Sequence, residues 1–163
     1  MSTHQVLVTE LAHMLQQKQW SIVTAESCTG GGLAYAITLN PECSCWLERG
    51  LVTYSAQAKI DCLNIDEKIF SQHFAVSEYV AKAMAKGALT ISNADFSIAI
   101  TGIAGPNSDD SKQAVGTVWI ACASHNDKII ACLQHFSGNR EQICQQAIQA
   151  ALTQALQWLK HLE

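Results

Sequence analysis

Trp20-Ser21-Ile22-Val23-Thr24-Ala25-Glu26-Ser27-Cys28-Thr29-Gly30-Gly31-Gly32 decides the architecture. Trp20 to Thr24 reads as a short buried strand, and it runs through Ser27 into three successive glycines. A helix follows from about Gly31 to Thr38, so a strand turns directly into a helix, as an α/β chain requires. Upstream, Leu7, Leu11 and Met14 recur at helical spacing with Val8 and Leu15 beside them, which predicts an amphipathic helix. Downstream, the turn signal Asn40-Pro41 precedes a strand over Gly50 to Tyr54 and a helix over Ala56 to Cys62.

Further along, Ser77 to Ser92 has the strongest helical pattern. Val80, Met84, Gly87 and Ile91 make one face, Lys82 and Lys86 lie off it, and Ser77 is a natural N-cap with Glu78 in the first turn. Phe96 to Ile100 reads as a strand leading to Thr101-Gly102-Ile103-Ala104-Gly105-Pro106. Beyond a polar loop, Asn107 to Gln113, the strands Val115 to Ala123 and Ile129 to Phe136 suggest a hairpin about Asn126-Asp127. A closing helix, Glu141 to Leu162, aligns Ile148, Leu152, Ala155 and Leu159. Early alternation and a late hairpin predict a sheet of mixed direction covered by helices. No repeat or linker divides residues 1–163, so a single domain is expected.

Composition narrows the class. Of 163 residues 48% are hydrophobic and 15% charged, against roughly 25% charged in a typical domain. That is material for a sizeable core and too little charge for a disordered chain. The net charge is −4 and the ten Lys and Arg are scattered from Lys18 to Lys160. A general nucleic-acid binder needs them clustered, so no nucleic-acid partner is expected. Seven cysteines without framework spacing predict reduced thiols in a cytoplasm, and the C-x-C of Cys43 and Cys45 lacks a second pair that would complete a metal site. Met1 to Gln17 has no basic signal-peptide start, and the longest apolar runs, such as Val118 to Ala123, fall far short of the ~20 residues that span a bilayer. A soluble protein with no membrane partner is expected.

Reactive residue types collect at three strand ends. Ser27 lies between a strand and a glycine-rich helix start, where backbone N–H groups could approach a ligand or hold an oxyanion. Ser27 or Thr29 as a simple helix cap fits the same residues, and neither the P-loop nor the G-x-S-x-G elbow is present. In Tyr54-Ser55-Ala56-Gln57-Ala58-Lys59 the tyrosine ends a strand and the lysine lies on the next helix, so both can face the same crevice. A lysine deprotonates a serine only when desolvation or a nearby cation lowers its pKa; the alternative is a solvated surface lysine. Thr101 to Pro106 suits a ligand-binding loop or an ordinary turn. Arg140, expected in the first turn of the last helix, opposes the helix dipole. That placement makes sense beside a bound anion such as a phosphate, or as an exposed pair with Glu141.

Together these segments resemble one family. Thr24-Ala25-Glu26-Ser27-Cys28-Thr29-Gly30-Gly31, Arg49-Gly50-Leu51-Val52-Thr53-Tyr54-Ser55 with Ala58-Lys59, Val76-Ser77, Ala99 to Pro106 and Val115-Gly116-Thr117-Val118 match in order and spacing the CinA C-terminal domain family, the stand-alone nicotinamide mononucleotide deamidases. The resemblance covers about residues 5 to 160. It implies a three-layer α/β/α sandwich with a mixed β-sheet, assembled as a homodimer or higher homo-oligomer. The activity implied is hydrolysis of the nucleotide's carboxamide to the acid and ammonia, with no metal or organic cofactor. Carried over residue by residue, Ser27 is the nucleophile, Lys59 its general base and Tyr54 a hydrogen-bonding partner of that pair. Thr29, Gly30, Gly31, Ser44, Thr101, Gly102 and Gly105 line the substrate site, and Arg140 meets the phosphate.

The chain also departs from the family's pattern. Asn107-Ser108-Asp109-Asp110-Ser111-Lys112-Gln113-Ala114 stands where the family carries a Gly-Gly pair and then Lys-Pro, Glu42-Cys43-Ser44 replaces Gly-Ser-Ser, and Gly138-Asn139-Arg140 replaces Gly-Asp-Arg. Retention of Ser27, Tyr54 and Lys59 favours the amidase; the altered loop favours a non-catalytic nucleotide-binding or regulatory paralogue, and an amidase for a different small amide is a third reading. Larger CinA proteins carry an N-terminal nucleotide-processing domain, for which this chain is expected to have no room.

Overall fold

A computed structural model describes residues 1–162. In chain order the elements are α1 (Thr3–Lys18), β1 (Ile22–Glu26), α2 (Gly32–Thr38), β2 (Leu47–Val52), α3 (Ala56–Leu63), α4 (Lys68–Gln72), α5 (Glu78–Thr90), β3 (Phe96–Gly102), β4 (Thr117–Ser124), β5 (Ile129–His135) and α6 (Arg140–Leu159). A single 3₁₀ turn, Cys43–Cys45, precedes β2. Among the described residues five strands form one sheet in the order β2-β1-β3-β4-β5. β1 pairs in parallel with both β2 and β3, while β3, β4 and β5 are antiparallel.

The two-residue period of the strands divides the core into two layers. Ile22, Ile98, Ile100, Val118, Ile120 and Cys122 pack with residues of α1, α2 and α6. Val23, Ala25, Ala99, Ala121 and Ala123 pack with α5 and with Leu63 of α3. The alanines on that second face leave room for a helix to lie close, and α5 presents Val80, Ala81, Met84, Ala85 and Ala88 to it. The result is α/β with helices on both faces of a mixed sheet, as the alternation of elements predicts. None of the described helices is long and apolar enough to cross a membrane.

Three of the strands end at the same edge because β2, β1 and β3 run in parallel. The chain leaves β1 for β2 on one side and later enters β3 on the other. Residues that follow these three strands therefore meet over a switch in strand order, where open α/β sheets hold their ligands.

Several boundaries differ from the sequence reading. β1 continues through Glu26, which is paired with Val52 on one side and Ile100 on the other; a charged residue disguised the end of a buried strand. β2 begins at Leu47 and stops at Val52, leaving Thr53 and Tyr54 to the following turn. It is an edge strand, so Glu48 and Arg49 can sit within it facing solvent. α5 ends at Thr90 with Ile91 outside it, and α6 starts at Arg140 and ends at Leu159. α4 has five residues and none is buried, so no hydrophobic period announced it.

Candidate active site

The turn after β1 is built around a buried carboxylate. Glu26 is 0% exposed. One of its oxygens accepts from Thr29 Oγ1 at 2.7 Å and Leu33 N at 2.8 Å, and the other accepts from Ala34 N at 3.0 Å. The N-cap of α2, Gly31, has no side chain to offer, and at φ +94° it holds a conformation that side chains resist. Glu26 therefore caps α2 from outside the helix and ties the intervening turn to its own strand. Ser27 is held by its N–H, which donates to Ile100 O at 3.0 Å. Among the described residues the N–H groups of Thr29 and Gly31 donate to no protein acceptor. Thr29 is buried and Gly31 half-buried, and main-chain amides left free there are suited to an oxyanion.

Lys59 meets Ser27 at this turn. Ser55 caps α3 through Ala58 N, and the helix carries Lys59 inward to 1% exposure. Its Nζ lies 3.0 Å from Ser27 Oγ, 2.7 Å from Thr53 O and 3.0 Å from Tyr54 O. Desolvation pulls its pKa down to about 8, with the neighbouring Cys28 thiol acting weakly the other way. The protonated amine donates to all three, with the Ser27 hydroxyl directed to Tyr54 O at 3.3 Å. Once deprotonated it keeps two protons for the carbonyls of Thr53 and Tyr54 and turns its lone pair to the Ser27 hydroxyl. Cys28, the other nucleophile type in the turn, is 8% exposed. Burial first, and then the nearby Cys144, push its thiol up to about 12. At neutral pH that leaves roughly one part in 10⁵ as thiolate, and it is Ser27 Oγ that lies at hydrogen-bond distance from Lys59 Nζ.

Arg140 closes the far side. It is the first residue of α6, behind an Asn139–Gln142 capping box. Its Nη1 donates to Gly105 O at 2.5 Å and its Nη2 to Tyr54 Oη at 2.6 Å. Both partners are uncharged, and among the described residues no carboxylate, Glu141 included, forms an ion pair with it. The positive charge is therefore fixed in place and uncompensated.

The structure thus gathers Ser27, Lys59, Tyr54, Gly105 and Arg140 at one edge, with the Thr29-Gly30-Gly31 turn beside them. Tyr54 reaches the Ser27–Lys59 pair through its main-chain carbonyl, while its phenol serves Arg140. The hydroxyl of Thr29 is turned inward onto Glu26. That of Thr101 donates to Ala75 O at 2.9 Å, tying β3 to the segment before α5. At Gly102 an added Cβ would lie 2.6 Å from Val118 Cγ2, so close strand packing accounts for the glycine. Ser44 is not brought to this cluster: its 3₁₀ turn precedes Leu47, which pairs with the first residue of β1, whereas Ser27 follows the last. The length of β1, roughly 3.3 Å per residue, lies between them. Glu26 and the Thr53 carbonyl were missed by the sequence reading. A lone acid at the end of an otherwise apolar strand, ahead of a helix without a side-chain cap, was the available signal for Glu26.

A hydroxyl 3.0 Å from a buried amine whose pKa burial lowers is an arrangement able to activate a serine for acyl transfer. Residues 4–159 match the CinA C-terminal domain model, and the chain belongs to that family. It is 41% identical over 150 residues to the nicotinamide-nucleotide amidohydrolase PncC of Enterobacter agglomerans, covering 92% of each chain. With the protein of the same name from Pseudomonas putida the identity is 42% over 151 residues, 93% of this chain and 94% of that one. The crystal structure of a competence-damaged protein (CinA) superfamily protein from Klebsiella pneumoniae 700603 superimposes with a TM-score of 0.94 at 35% identity, over 99% of this chain and 100% of that one.

Proposed function

We propose that the protein is a nicotinamide-nucleotide amidase that converts nicotinamide mononucleotide to nicotinic acid mononucleotide and ammonia. The observation that carries the reading is the 3.0 Å contact between Lys59 Nζ and Ser27 Oγ in a site that lowers the lysine's pKa. In the mechanism, neutral Lys59 takes the Ser27 proton while Oγ attacks the carboxamide carbon. The resulting oxyanion is met by the Thr29 and Gly31 amides. As the C–N bond breaks, Lys59 returns the proton to the leaving nitrogen, which departs as ammonia. Water, deprotonated by Lys59, then cleaves the acyl-serine ester, and Ser27 recovers its proton.

Arg140 holds the nucleotide's phosphate in this reading, which accounts for a cation at a helix N-terminus that its dipole disfavours. Gly30, Gly31 and Gly105 shape the walls. A cytoplasmic setting and a homodimer or higher homo-oligomer complete the proposal, on the family resemblance. The test is to incubate the purified protein with nicotinamide mononucleotide and follow ammonia and the deamidated nucleotide. Wild type should turn over, and Ser27→Ala and Lys59→Ala should each lose at least about 10²-fold. Equal activity in Ser27→Ala would sink the nucleophile; saturable binding without turnover in wild type would favour a non-catalytic nucleotide binder.

A further inference from the structure

Glu26 takes no part in the steps above, yet its side chain is as fully engaged as that of Lys59, each making three hydrogen bonds. It is fully buried and ends β1 one residue before the nucleophile. All three groups that its carboxylate meets are donors: a hydroxyl and two helix N–H groups. Its main-chain carbonyl accepts from Thr53 N at 2.8 Å, and Thr53 in turn supplies the carbonyl that anchors Lys59 Nζ at 2.7 Å. One residue thus joins the turn carrying Ser27, the helix behind it and the segment that orients the base.

From this arrangement we infer that Glu26 is a positioning residue for the amidase: its carboxylate sets the turn so that Ser27 Oγ faces the Lys59 lone pair and the free amides face the substrate. The inference rests on the amidase reading. A carboxylate suits the position and an amide does not. Each carboxylate oxygen accepts from a helix N–H, so whichever way a glutamine turned, its NH₂ would face one of these donors, and that buried clash moves the turn. A displacement of about 1 Å between nucleophile and base costs on the order of 10² in rate without weakening substrate binding. The same contacts also decide where a phosphate does not go. The Leu33 and Ala34 amides, the natural anion ligands of the α2 N-terminus, already belong to Glu26, which leaves Arg140 as the site's anchor for that group.

The experiment compares wild type with Glu26→Gln by three readouts: thermal unfolding, kcat and KM for nicotinamide mononucleotide across pH, and the rate at which a fluorophosphonate probe labels Ser27, followed by mass spectrometry. The expected result for a folded Glu26→Gln is a kcat lower by about 10- to 100-fold, with labelling slowed in parallel. KM should stay within about threefold, and the rising pH limb should not move, since Lys59 still titrates as before. Wild-type kcat and labelling in the folded variant, or an effect confined to KM, would overturn the assignment. Should Glu26→Gln fail to fold, Thr29→Val removes one donor and keeps the carboxylate. It should show the same pattern at smaller size, and wild-type kcat there overturns the inference equally. Labelling separates the two proposals: a wild type whose Ser27 labels without turnover refutes the amidase and still reads Glu26, and one that does neither refutes both.

Discussion

Raising the pH from about 6 to about 9 should increase hydrolysis in step with the unprotonated fraction of Lys59. With a pKa of about 8, that fraction is about 1% at the lower limit, about 10% one unit higher, and about 90% at the upper limit. The rate should therefore rise nearly tenfold per unit and then level off. Stability should follow the same group. The folded pKa lies below the ordinary 10.5 of the free side chain, so between those values the unfolded chain binds the extra proton. Below about pH 8 both states are protonated and the fold carries the full penalty of a buried ammonium. The penalty, on the order of 3 kcal/mol at about 1.4 kcal/mol per unit, disappears as pH climbs from 8 towards 10.5. Lys59→Met lacks it, so the stability of wild type relative to Lys59→Met should improve across that window. Initial rates of ammonia release and urea unfolding of both proteins, measured from about pH 6 to 10.5, provide the assay. A flat rate profile, a limb near the ordinary lysine value, or a stability difference independent of pH would refute the reasoning.

Two further perturbations separate recognition from chemistry. Arg140→Ala should raise KM for the mononucleotide by at least about tenfold and leave turnover of its dephosphorylated riboside nearly unchanged; equal losses on both substrates, measured as kcat/KM, would reject the phosphate contact. Cys28→Ala should keep activity within about threefold, because a thiol whose pKa is near 12 is not ionised at working pH; a loss of hundreds of fold in initial rate would return the cysteine to the mechanism.

The alternation of elements was readable because α1, α5 and α6 each bury one stripe and the strands are short apolar runs. Ile148, Leu152, Ala155 and Leu159 are all buried on α6, as their spacing predicts. The strand ends were less readable. Glu26 is paired on both sides yet charged, and the edge position of β2 let polar residues into a strand. At the site, residue types announced a serine, a lysine and an arginine at strand and helix ends, and the structure brings these three to one edge. Which atom of a residue does the work was invisible. Tyr54 suggests a phenol, but the pair meets its carbonyl, and the direction of a carbonyl is set by turn geometry that side-chain chemistry does not encode. Ser44 shows a related limit: a motif gives order along the chain, and only the strand register says that, within this chain, its turn lies at the opposite end of β1 from Ser27.

The double use of Tyr54 has a consequence for altering the protein. The half of the residue that orients the base is main chain, which any amino acid other than proline or glycine reproduces in the same conformation. The half that touches Arg140 is side chain, and 58% of the residue is exposed. Under the proposed mechanism, position 54 can therefore be randomised to retune which substrates are accepted, while the main-chain contact with Lys59 Nζ is passed on to the members of the library.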